Sequence, residues 1–130
     1  MKSLSIFLLF FFIFSQTILA SQHFTCFPME TNSNDRAVIS LKNQTEGTLF
    51  LTSGLDDWGN QNTSGVLLLS KTSEKDTVQT WIAHSTKSTF TVSLPAKSVG
   101  QNGDNIKIKL TLKSSEQTVN QDLECYSRMY

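Results

Sequence analysis

Histidine, cysteine, proline and tryptophan are all scarce in these 130 residues, with two of each. The scarcity excludes several chemistries. With His23 and His84 as the only histidines, a histidine-based metal site would need carboxylates from scattered loops, and no HExxH, paired CxxC or GxSxG occurs. Charge is also thin and interspersed, from Arg36 and Lys42 to Glu116 and Glu124, with no block longer than two of one sign. A polyanion such as nucleic acid is normally met by a basic patch or stripe, and none can be read here. There is no proline-rich hinge and no repeated unit.

The long apolar run is confined to the start. "MKSLSIFLLFFFIFSQTILA" opens with a basic residue, continues through an apolar stretch from Leu4 to Phe14 and ends on the small residue Ala20. That is the plan of a secretory signal peptide, with an apolar region too short for a comfortable membrane span. Residues 1–20 are therefore expected to be removed. The 110 residues from Ser21 to Tyr130 then form a single secreted, extracellular domain of common size. Loss of Lys2 leaves ten basic and eleven acidic side chains, a formal charge of −1.

Cys26 lies six residues into that domain and Cys125 six from its end. In an oxidising compartment they pair most simply with each other and tie the two ends together. That pairing also removes both from the list of nucleophiles.

What the chain does have is alternation. In "NIKIKLTLK" Ile106, Ile108, Leu110 and Leu112 alternate with Lys107, Lys109, Thr111 and Lys113, which predicts a half-buried antiparallel strand with a cationic outer face. "TFTVSLP" repeats the pattern with Phe90, Val92 and Leu94 inward, and "AVISLK" with Ala37, Ile39 and Leu41. "TLFLTS" and "VLLLS" are denser, as expected of strands covered on both faces. "SEKDTVQTWIAHS" carries Val78, Trp81 and Ile82 at helical spacing, but its β-branched and aromatic residues favour a strand with Trp81 in the core. Strands around Cys26 and Cys125 complete the set.

The connections carry turn chemistry. Asn102-Gly103 in "KSVGQNGDN" is a hairpin signal, "NQTEG" a shorter turn ending in Gly47, and "METNSNDR" the most loop-like stretch. Seven or eight short strands without a convincing helix predict an all-β, antiparallel two-sheet β-sandwich, with a small β-barrel as the alternative.

The candidate site is the loop "LDDWGNQNTSG", where Asp56, Asp57, Trp58 and Asn60 fall together. An exposed Trp58 would serve as a stacking platform for a sugar ring or as a wedge in a lipid interface. The plainer reading folds it back to plug the end of the sandwich. The loop's oxygens would suit calcium, but an EF-hand's alternating ligands would fall on Trp58 or Gly59, so no metal or other cofactor is assigned. Asn43-Gln44-Thr45 and Asn62-Thr63-Ser64 are glycosylation sequons in expected turns, and a glycan on Asn62 would crowd the loop. These features together predict a small secreted binding protein without catalysis, its partner an extracellular protein or a glycan. A membrane-active or lipid-binding β protein is the second reading, and a small hydrolase the third.

Overall fold

Eight strands follow one another around a closed antiparallel barrel, each paired with the next and the last with the first. The computed structural model describes residues 21–29, 36–51 and 65–130. Within them run β1 (Gln22–Pro28), β2 (Ala37–Leu41), β3 (Glu46–Leu51), β4 (Gly65–Lys75), β5 (Val78–His84), β6 (Ser88–Pro95), β7 (Gly103–Ser114) and β8 (Thr118–Met129). A short 3-10 turn, Ala96–Ser98, follows β6.

The architecture is thus the barrel and not the two-sheet sandwich. The difference lies in β1, which pairs with β2 from Gln22↔Leu41 to Cys26↔Ala37 and with β8 from Gln22↔Met129 to Pro28↔Leu123. Alternation along a strand says which face is buried but nothing about which strands are neighbours, so both architectures satisfy the same pattern. Cys26 stands directly opposite Cys125 in the β1–β8 register, and the two form a disulfide with Cα atoms 4.0 Å apart. Because the bond spans 99 residues of sequence, the chain-entropy model assigns it about 4–5 kcal/mol.

An eight-stranded barrel has an interior just wide enough for side chains to fill. Phe24, Trp81 and Phe90 supply the bulk, with Ile39, Leu49, Leu51, Leu69, Leu94, Ile108, Leu110 and Leu112 around them, all essentially inaccessible. Every second residue of "TFTVSLP" and of "AVISLK" points inward, as the alternation predicts. On β7, Ile108, Leu110 and Leu112 are buried and Ile106 packs partly buried against them, while Lys107, Lys109 and Lys113 face water.

Three readings of the sequence need correction. The dense apolar runs are not covered on both faces: Phe50, Val66 and Leu68 lie on the outer wall, with Leu68 79% exposed. "SEKDTVQTWIAHS" is divided by a turn at Asp76 and Thr77, where Asp76 takes the left-handed φ of 60°, so its first residues belong to β4. Asn102-Gly103 is not the turn between β6 and β7, since Gly103 already opens β7 and the positive φ values of the stretch fall on Gly100 (82°) and Asn105 (55°). The β2–β3 turn is as expected, although Gly47 lies within β3. A side chain there would collide with the carbonyl oxygen of Ser40.

The core reading has a direct test. Leu110→Ala should cost about 2–5 kcal/mol by urea denaturation, the usual loss for emptying a buried leucine site, whereas Lys113→Ala on the same strand should stay within about 0.5 kcal/mol. Equal costs would mean that the two faces of β7 have been assigned wrongly.

Candidate functional site

A groove in the outer wall arises from the way β6 ends. Pro95 has no N–H to donate to a ladder, and the β6–β7 register stops at Ser93↔Lys109. Beyond that point β6 stays with β5 as far as Val78↔Pro95, and β7 stays with β8 as far as Gly103↔Ser127. The two strands part, and a cleft of about 710 Å³ opens between them. Its accessible apolar lining is Val78, Pro95 and Met29, while Leu94, Ile108 and Leu123 border it with side chains that belong to the core and are at most 2% exposed. Met29 is held there by its N–H, which donates to the Asp122 carbonyl at 3.0 Å.

Three lysines line the same groove. Lys107 and Lys109 project from successive outward positions of β7, and Lys97 comes from the 3-10 turn. All are exposed, and none forms an ion pair with a described residue. Lys109 stands opposite Asp122 and Lys107 opposite Glu124 in the β7–β8 register, yet neither pair closes to an ion pair. Asp122 is the carboxylate among the lining residues, so the groove is cationic by three charges to one.

The turn bearing Lys97 is anchored by a buried polar latch. Gln22, 3% exposed, donates from Nε2 to the Ser98 carbonyl and to Ser127 Oγ, each at 2.7 Å. Its Oε1 accepts from the Gly100 N–H at 2.8 Å. Ser127 Oγ in turn donates to the Gln101 carbonyl at 2.9 Å. Such groups are expensive to leave unpaired once buried, so the network fixes the connection across the barrel end and with it the position of Lys97.

A second polar chain serves the neighbouring β4–β5 hairpin. Trp81 Nε1 donates to Gln79 Oε1 at 3.1 Å, and Gln79 Nε2 and Lys71 Nζ both donate to Glu74 Oε1, at 2.7 and 2.9 Å. The hydrogen bond from Lys71, followed by that from Gln79, holds the exposed Glu74 carboxyl below its ordinary range. A depressed carboxyl pKa adds stability above the unfolded-state value, and that contribution is lost as pH falls through the folded value.

Of the residues singled out in the sequence, Asp56, Asp57, Trp58, Asn60 and Asn62 lie outside the described residues. Asn43 is described, in the β2–β3 turn. Its Oδ1 accepts from the N–H groups of Thr45 (2.9 Å) and Glu46 (2.8 Å) and from Thr45 Oγ1 (3.2 Å). This is an Asx-type turn, with Gln44 and Thr45 exposed and Asn43 half-buried. His84 is exposed at the end of β5, and His23 lies with Nδ1 2.7 Å from Ser40 Oγ and its ring edge-on to Tyr130. Among the described residues no three His, Cys, Asp or Glu side chains cluster as a metal site would require.

A smaller cleft of about 350 Å³ beside β1 and β8 includes Phe27 and Tyr126, ring centroids 6.4 Å apart. Arg36 lies over the Phe27 ring at 5.5 Å and Arg128 over Tyr126 at 5.2 Å. Each aromatic ring already carries a guanidinium on one face, which leaves less platform for a sugar than an open ring would offer. The β6–β7 groove is therefore the better candidate. Its lysines on β7 were visible in the sequence as a cationic face, but Lys97, Val78 and Met29 join them only through the register.

The fold and groove together define a closed, up-and-down antiparallel barrel with a core of side chains and a cleft in its outer wall. Compared with protein-family models, with characterised proteins and with solved structures, the chain has no match.

The latch can be tested apart from any ligand. Gln22→Ala should lower stability by about 1–3 kcal/mol, the cost of orphaning buried polar groups, and should speed hydrogen exchange at the Gly100 amide more than at the Leu110 amide. Unchanged exchange at Gly100 would show that Gln22 does not hold the connection.

Proposed function

We propose that this chain is a small secreted binding protein without catalytic activity, and that it takes its ligand in the groove between β6 and β7. One observation carries the reading: a largely apolar cleft of about 710 Å³ whose lining includes Lys97, Lys107 and Lys109, none of which forms an ion pair with a described residue. Ligand sites are typically concave, largely apolar and fitted with a few convergent polar groups. The filled core favours a site on the outside of the barrel over one within it. The leader-like first twenty residues and the Cys26–Cys125 disulfide support an extracellular setting. An extracellular protein or glycan would be met instead by the surface loops, and the groove shifts the balance toward a small molecule with an apolar part.

The test uses an uncharged apolar fluorophore, Nile red, with folding followed by circular dichroism. The parent protein should bind it saturably at one site, and Val78→Arg, on the groove wall, should weaken binding about tenfold with the fold intact. Tenfold corresponds to about 1.4 kcal/mol. Absent or unsaturable binding, or binding indifferent to Val78→Arg, would remove the groove as the site.

A second reading, a membrane-active barrel, draws on the outer wall of β3 and β4, where Phe50, Val66 (62% exposed) and Leu68 form an uncovered apolar surface among the described residues. Flotation with phosphatidylcholine vesicles that is abolished by Leu68→Glu would favour it over the first.

Asn43 is proposed to carry an N-linked glycan, on the strength of the exposed turn and the leader. Protein secreted from a eukaryotic host should lose mass on treatment with an endoglycosidase, and part or all of that loss should vanish in Asn43→Gln. An unchanged loss in the variant would place any glycan elsewhere.

A further inference from the structure

We infer that the groove between β6 and β7 binds a monomeric anionic amphiphile, a single hydrocarbon chain ending in a carboxylate, with the chain against Val78, Pro95 and Met29 and the carboxylate among Lys97, Lys107 and Lys109. The inference rests on the groove being the ligand site.

Charge is the first argument. Over the full chain eleven basic residues balance eleven acidic ones, so three lysines against Asp122 in one cleft is a local excess that the composition does not require. Lys107 and Lys109 are two residues apart on one face of β7, about 7 Å along the strand, and Lys97 approaches from a separate element held by the Gln22 latch. Lysine is suited to this arrangement. Its methylene stem can lie on an apolar wall while the ammonium stays at the rim, and its compact charge can meet a single carboxylate from several directions.

The groove's walls argue against a peptide strand as the occupant. Added strands bind through main-chain hydrogen bonds. On the β6 side Pro95 has no N–H to offer, and the Ala96 N–H is already given to the Thr77 carbonyl at 2.8 Å. The exposed apolar side chains of Val78 and Met29 likewise add nothing to the binding of a bare phosphate or other small inorganic anion. A ligand with both an apolar chain and an anionic head uses every part of the cleft.

Titration calorimetry with three twelve-carbon probes, each below its micelle concentration, tests this. Dodecanoate should bind one to one and at least about tenfold more tightly than dodecanol, and dodecyltrimethylammonium should bind most weakly. The combined variant Lys97→Gln, Lys107→Gln, Lys109→Gln, with melting and circular dichroism as the folding control, should keep dodecanol binding and lose the preference for the carboxylate. Raising salt from about 0.05 to 0.5 M should narrow the preference in the parent. Equal affinity for dodecanoate and dodecanol would overturn the inference while leaving the groove as a ligand site. If none of the three probes binds, the groove reading itself fails. Binding to phosphatidylserine-containing vesicles without binding to monomeric dodecanoate would also overturn the inference, in favour of a bilayer surface.

Discussion

The pairing of β1 with β8 is the constraint on which the rest of this structure depends. Seven registered residue pairs, Gln22↔Met129 to Pro28↔Leu123, join the two ends of the domain and convert a meander into a closed barrel. Without that ladder β1 and β8 would each present unpaired backbone groups, a liability that closure removes. The Cys26–Cys125 bond lies in the middle of the same ladder, so covalent and hydrogen-bonded closure coincide. The inward positions of the eight strands then meet as one core around Phe24, Trp81 and Phe90.

The groove follows from the same closure. β5–β6 pairing runs to Pro95 and β7–β8 pairing back to Gly103, but Ser93↔Lys109 ends the ladder between β6 and β7. A proline at the strand end and a 3-10 turn after it make this the place where the wall parts. The connection must still be held over the barrel end, and the Gln22 and Ser127 network holds it. One buried glutamine on β1 thus positions a lysine 75 residues further along the chain, through a contact that exists only because β1 lies beside β8.

The outer wall also departs from the usual alternation of apolar inside and polar outside. Along β7 and β8 the outward residues are largely charged or polar, whereas on β3 and β4 Phe50, Val66 and Leu68 stand exposed. Apolar residues on both faces of a strand read in sequence as a fully covered strand, because composition records hydrophobicity without recording what lies opposite. Here the inner half faces the core, and among the described residues nothing covers the outer half.

The sequence alone determined the strand character of the chain and the faces of three of its strands. Alternation in "NIKIKLTLK", "TFTVSLP" and "AVISLK" assigned the inward residues, because side-chain direction in a strand is a local property of period two. The mirrored cysteines indicated that the chain ends meet. Residues 52–64, which carry Trp58 and its neighbours, lie outside the described residues, so that candidate loop gains nothing from the fold. The choice of barrel over sandwich, the exposure of Leu68 and the meeting of Lys97 with Lys107 and Lys109 were decided only in three dimensions. Each depends on which strands are neighbours and where a ladder stops, and those are long-range pairings set by core packing and closure that no local pattern encodes.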